Sequence, residues 1–81
     1  VLVRALRAAQ TEIAAGTRDA LQLQNAMRKV LQGEPFARVD YAEIVDAETF
    51  DPVVRIARRA YALLAVHIGK TRLIDNMIVT P

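Results

Sequence analysis

The stretch Ala60-Tyr61-Ala62-Leu63-Leu64-Ala65-Val66-His67-Ile68-Gly69-Lys70-Thr71-Arg72-Leu73-Ile74-Asp75-Asn76-Met77-Ile78-Val79 decides the fold. Residues 59–68 are strongly apolar, and residues 72–80 resume the run after Gly69-Lys70. A two-residue connection with glycine first suits a type II′ turn, whose twist matches that of the strands it joins. The stretch therefore reads as a β-hairpin, and the turn sets its register. Ile68 faces Thr71, His67 faces Arg72, Val66 faces Leu73, Ala65 faces Ile74, Leu64 faces Asp75 and Leu63 faces Asn76.

Side chains alternate between the faces of a strand, and directly opposite residues share a face. One face then carries Ala60, Ala62, Leu64, Val66, Ile68, Leu73, Met77 and Val79, and reads as a core face. Asp75 is its misfit, because a carboxylate is expected to be buried there only if donors satisfy it. The other face carries Tyr61, Leu63, Ala65, His67, Arg72, Ile74, Asn76 and Ile78. It mixes apolar with polar groups, and a patch of that size left open implies a partner. A bulge would exchange the two faces.

Upstream, Val39, Tyr41, Glu43 and Val45 alternate with Asp40, Ala42, Ile44 and Asp46, which predicts a further strand. Residues 47–52, with Asp51-Pro52, read as a loop or short turn. Before Pro35 the period changes. Leu2, Leu6, Ala9 and Ile13 recur at helical spacing, and Gly16 stops that helix. Thr17 or Asp19 caps a second helix with the stripe Ala20, Leu23, Met27, Val30 and Leu31, ended by Gly33 and Pro35. The short connection makes the helices an antiparallel pair. The expected fold is α+β: a two-helix hairpin packed on a three-stranded, mainly antiparallel sheet, in the order α-α-β-β-β.

Bulk properties limit what such a domain can do. The chain has 81 residues, 53% of them hydrophobic and 25% charged, as in one ordered globular domain. Its net charge is +2 and its arginines are scattered, against the clustering that nucleic-acid binding uses. It has no cysteine and no serine, which removes disulfides, thiolate chemistry and a serine nucleophile. No apolar run approaches the ~20 residues of a membrane helix, and the opening residues lack a signal-peptide pattern. The chain begins in a helical pattern without an initiator Met, and is read as a piece of a longer protein.

The motifs that carry chemistry elsewhere have plain explanations here. His67-Ile68-Gly69-Lys70 echoes the H-I-G-H signature of nucleotidyl transferases, but that signature opens a helix and this one lies in a hairpin. His67 is the only histidine, and Glu43, Asp46 and Glu48 match no metal-loop spacing, so no metal site is assigned. Gly16, Gly33 and Gly69 are dispersed and form no phosphate loop. Arg55 with Arg58-Arg59 makes a local basic cluster, read as a solvated loop or a phosphate contact. Arg72, Asp75 and Asn76 stand out between bulky aliphatics, since Asp and Asn are poor strand formers. Such local conflict marks functional or strained sites.

Gly69-Lys70-Thr71-Arg72-Leu73-Ile74-Asp75-Asn76 closely resembles the terminal signature of the pantothenate synthetase (pantoate–β-alanine ligase) family. Asp40-Tyr41-Ala42-Glu43-Ile44-Val45-Asp46, continuing into Ala47-Glu48-Thr49, resembles that family's first C-terminal strand. Ala62-Leu63-Leu64-Ala65-Val66 resembles the strand entering its hairpin. The resemblance covers essentially the whole chain, residues 1–81, as one C-terminal, lid-type domain. It implies a cytoplasmic two-domain enzyme that joins pantoate to β-alanine through a pantoyl-adenylate, using ATP and magnesium. The family's adenylylation histidines and its lysine-serine-arginine phosphate segment belong to a preceding nucleotide-binding domain that this sequence does not contain. No catalytic residue is therefore assigned here, no cofactor is expected in this fragment, and the fragment alone is expected to be inactive. The missing domain is the expected partner of the mixed face, with His67, Arg72 and Asn76 as the groups expected near that interface or the closed site. The alternative is a free-standing interaction module, without catalysis, that forms a homodimer through the same face.

Overall fold

The structure, a computed structural model, describes residues 1–81 in the order α1 (Leu2–Ala14), α2 (Ala20–Gln32), β1 (Ala37–Asp46), β2 (Ala60–Ile68) and β3 (Thr71–Val79). The strands form one sheet in the order β1-β2-β3, antiparallel at both junctions, and the two helices lie on one of its faces. The expected α+β architecture is the observed one. No helix is long and apolar enough to cross a membrane.

Glycine and acidic caps separate the helices where the sequence places them. Gly16 has φ +103°, and the N–H groups of Gly16 and Thr17 reach back to the carbonyls of Ile13 and Glu12. That is the Schellman arrangement, which satisfies carbonyls the helix end leaves free. Asp19 caps α2 by accepting the Leu21 N–H at 2.9 Å, while the Thr17 hydroxyl donates to Glu12 at 2.8 Å. Of the two candidate caps, Asp19 is the one used.

The apolar stripes meet the sheet. Leu2, Ala5, Leu6, Ala9 and Ile13 of α1, and Ala20, Leu23, Met27 and Leu31 of α2, are buried against Ala42, Ile44, Ala60, Ala62, Leu64, Val66 and Val79. Fully burying a Leu or Met side chain contributes about 1.5–3 kcal/mol. Helix α2 covers β1, and α1 covers β3 and part of β2.

The hairpin keeps the register its turn dictates, from Ile68 opposite Thr71 to Ala60 opposite Val79. Gly69 has φ +61°, as the first central residue of a type II′ turn requires. The core face is complete only in the middle of the sheet. Ile68, at the hairpin end of β2, is half-buried; on β3, an edge strand that α1 covers incompletely, Met77 is half-buried and Leu73 is 36% exposed.

Strand β1 departs from simple alternation. Its register against β2 shifts between Val39 and Tyr41, making Asp40 the extra residue of a β-bulge. Before the bulge Ala37 and Val39 oppose Ile68 and Val66 on the core face; after it Ala42, Ile44 and Asp46 oppose Leu64, Ala62 and Ala60 on that face. The period-two grouping of Val39 with Tyr41, Glu43 and Val45 is thus corrected at Val39.

Residues 47–59 are more than a linker. Val53 N–H donates to the Ile44 carbonyl, and Asp46 N–H to the Asp51 carbonyl, so this segment closes the outer edge of the second half of β1. It then passes the helical turn, where Ile56 N–H reaches the Arg18 carbonyl at 2.7 Å and Ala20 N–H reaches the Val54 carbonyl at 2.9 Å. Ile56 itself enters the core.

Candidate functional site

The sheet face turned away from the helices is built in rows. From the hairpin end these are Arg38–His67–Arg72, Tyr41–Ala65–Ile74, Glu43–Leu63–Asn76 and Val45–Tyr61–Ile78. The first row is basic and the last is apolar. Ile74 is 60% exposed and Ile78 45%, whereas Ala65 and Val45 are buried between larger neighbours.

The bulge places Asp40 beside the basic row. Its Oδ2 accepts from Arg72 Nε at 3.1 Å and Nη2 at 3.0 Å, and lies 4.0 Å from His67 Nε2. The Arg72 guanidinium also sits 6.0 Å from the centre of the Tyr41 ring. Asp40, His67 and Arg72 thus converge from all three strands. The Arg72 and Asp40 side chains are both about two-fifths exposed, so their pair is worth at most about 1 kcal/mol to stability. Its value lies in fixing a planar, charged group at one end of an open face.

At the opposite end a tight turn presents an aromatic ring. Asp46 is buried; its Oδ1 accepts the N–H groups of Glu48 at 2.8 Å and Thr49 at 3.1 Å, and its Oδ2 accepts Arg58 Nε at 2.6 Å. The Arg58 hydrogen bond, helped by the two backbone donors, holds the Asp46 carboxyl below its ordinary range, and Asp46 in turn raises Arg58. In the same turn Phe50 adopts φ +60°, a left-handed conformation that costs a non-glycine residue roughly 1–2 kcal/mol. Phe50 remains 64% exposed and stacks on Tyr61, with ring centres 5.7 Å apart. Phe50, Tyr61, Leu63 and Asn76 line a shallow cleft of about 260 Å³. A second groove of about 560 Å³ runs along the outer side of the helices, past Thr11, Gln22, Asn25 and Lys29.

The structure brings His67 and Arg72 together and sets Asn76 two rows away, beside the aromatic cleft. Asp75 lies on the helix side of β3, half-buried, and its Oδ1 accepts the Asn76 N–H at 2.8 Å. The deeply buried carboxylate is Asp46. Arg58 of the basic cluster is committed to Asp46 and Glu48, while Arg55 and Arg59 are exposed. Asp40 and Phe50 are members of this face that the sequence reading did not single out. A poor strand former between Val39 and Tyr41 is the available signal for Asp40. No three of the acidic and histidine side chains are grouped to hold a metal ion.

The family model for pantoate-beta-alanine ligase matches residues 1–78. The pantothenate synthetase of Roseiflexus sp. (strain RS-1) is 48% identical over 79 residues, 98% of this chain and 28% of that protein. That of Rubrobacter xylanophilus is 49% identical over 76 residues, covering 93% of this chain and 26% of that protein. The crystal structure of pantothenate synthetase from Thermus thermophilus superimposes with a TM-score of 0.89 at 32% identity, over 99% of this chain and 29% of that one. The chain spans less than a third of the length of these relatives. With fold and sequence in agreement over nearly its full length, this chain belongs to the pantoate–β-alanine ligase family.

Proposed function

We propose that this chain is the C-terminal lid domain of a cytoplasmic ligase that makes pantothenate from pantoate and β-alanine, and that its open sheet face meets the nucleotide-binding domain. The observation that carries the reading is that face: apolar Ile74, Ile78 and Phe50 stand exposed beside a fixed Asp40–Arg72 pair. An exposed apolar patch rimmed by oriented polar groups is the usual form of an interdomain contact.

In this reading the pantoate carboxylate attacks the α-phosphorus of ATP, pyrophosphate leaves, and pantoyl-adenylate forms. The β-alanine amine then attacks the acyl carbon, AMP leaves, and the amide of pantothenate results. The adenylate is open to hydrolysis, so the work assigned to this domain is closure and exclusion of water. Magnesium accompanies ATP, but the acidic groups of this chain do not suit it. Asp46 is saturated by Arg58 and two backbone donors, Asp40 is taken by Arg72, and no third ligand joins either.

The test uses the full-length enzyme. Arg72→Ala should lower kcat/KM for pantothenate formation at least about tenfold through loss of an oriented closing contact. The 81-residue chain alone should form none. Unchanged turnover with unchanged stability in Arg72→Ala, or pantothenate made by the isolated chain, would overturn the reading.

A further inference from the structure

We propose that the free edge of β3 is a strand-docking surface for a second copy of this chain, and that the Asp75 carboxylate keeps it closed. The inference does not depend on the ligase reading.

The two edges of the sheet are treated differently. The segment after β1 bonds to Ile44 and Asp46 and closes much of that edge. Strand β3 pairs only with β2. The Ile68–Thr71 pair closes the hairpin and is hydrogen-bonded, and bonded pairs alternate along an antiparallel ladder. The backbone groups of Arg72, Ile74, Asn76 and Ile78 therefore point outward. Such a row is a template for another strand.

A second copy can add across a twofold axis normal to the sheet. One register engages all four outward residues of each strand: Arg72 opposite the partner's Ile78, and Ile74 opposite the partner's Asn76. The same register sets Asp75 on the axis, opposite itself. That position is a non-hydrogen-bonded pair, where side chains come closest, and two carboxylates repel there. Shifting by two residues to avoid the clash leaves one outward residue of each strand unpaired. Asp75 acts a second way, because its Oδ1 already holds the Asn76 N–H at 2.8 Å. That donor is one the central Ile74–Asn76 pairs need. One side chain thus both charges the axis and occupies a bond beside it, which also accounts for a carboxylate on the helix side of a strand.

Sedimentation velocity on the 81-residue chain across a concentration series, with circular dichroism to confirm folding, tests this. Wild type should stay monomeric. Asp75→Thr should self-associate at least about tenfold more tightly, and Ile74 and Asn76 amides should gain exchange protection in the dimer. Asp75→Asn, which removes the charge and keeps the shape, should move the same way and serves if the threonine variant does not fold. Asp75→Lys should remain monomeric alone yet form a one-to-one complex with wild type, as opposite charges meet on the axis. A wild-type dimer with protected β3 amides would overturn the proposal. So would folded neutral variants that stay monomeric, or association without protection at Ile74 and Asn76.

Discussion

Truncating Leu64 to Ala should cost about three times as much stability as truncating Leu63, its chain neighbour. Leu64 is fully buried in the middle of β2, opposite Ala42 and Asp75, with the helices above it. The change removes three carbons, about 2.4 kcal/mol at ~0.8 kcal/mol each. A rigid site leaves a void, and ~40 Å³ of it adds about 1 kcal/mol. The expected loss is about 3–3.5 kcal/mol, out of a total of about 4–12 kcal/mol for a domain of this size. Leu63 is half-buried on the open face and leaves no closed cavity, so its loss is about 1 kcal/mol. Urea unfolding followed by far-UV circular dichroism reads the difference. With m near 1 kcal/mol per molar, the midpoints should fall by about 3 M and about 1 M. A Leu63→Ala loss equal to or larger than that of Leu64→Ala would refute the register on which the core face and the open face both rest. In the full-length enzyme the gap should narrow, because docking of the open face would bury Leu63.

The other expectations concern the knot at the end of β1 and the hairpin turn. The folded-state pKa of Asp46 lies below its unfolded value of about 3.9, so its contribution is fully present above that value and is lost as pH falls through the lower folded value. Thermal melts between about pH 5 and about pH 2.5 should show a steeper acid loss for wild type than for Asp46→Asn. Phe50→Gly should be more stable than Phe50→Ala by about 1 kcal/mol, since only glycine relieves the left-handed backbone. Phe50→Ala should itself lose about 0.5–1.5 kcal/mol through the missing stack on Tyr61, read from urea midpoints. Gly69→Ala should cost about 1 kcal/mol for the same backbone reason, with no Cβ clash to add to it.

What could be read from the sequence follows the range of the interactions that specify it. The hairpin was legible because Gly69-Lys70 fixes the turn locally and everything else is counting. The helices were legible because Gly16, Asp19 and Gly33 punctuate two stripes of helical period. Residues 47–59 were not, since they are held by Ile44, Arg18 and Ala20, partners distant in the chain that leave no local period. The site divides in the same way. Cross-strand neighbours His67 and Arg72 follow from the turn, whereas Asp40 joins them only through a bulge. Asp75 is a misfit by the count alone, but its acceptance of the Asn76 N–H depends on which β3 groups face outward.

The bulge at Asp40 lets one strand serve two faces. With unbroken alternation across β1, a single phase would have to seat both Val39 and Ile44 on the core side, which residues of opposite parity cannot do. Inserting one residue reconciles them: Val39 packs before it, and Ala42 and Ile44 pack after it. The inserted residue has no place in the ladder and turns to the open face, where its carboxylate accepts from Arg72 and lies 4.0 Å from His67. Deleting Asp40 would remove the carboxylate yet leave the strand in phase, because Val39 and Tyr41 already face Val66 and Ala65, adjacent residues of β2. Val39, Ala42 and Ile44 would then share one parity and keep their core positions, so the cost of the deletion falls on the basic row, which loses the carboxylate oxygen beside Arg72 and His67.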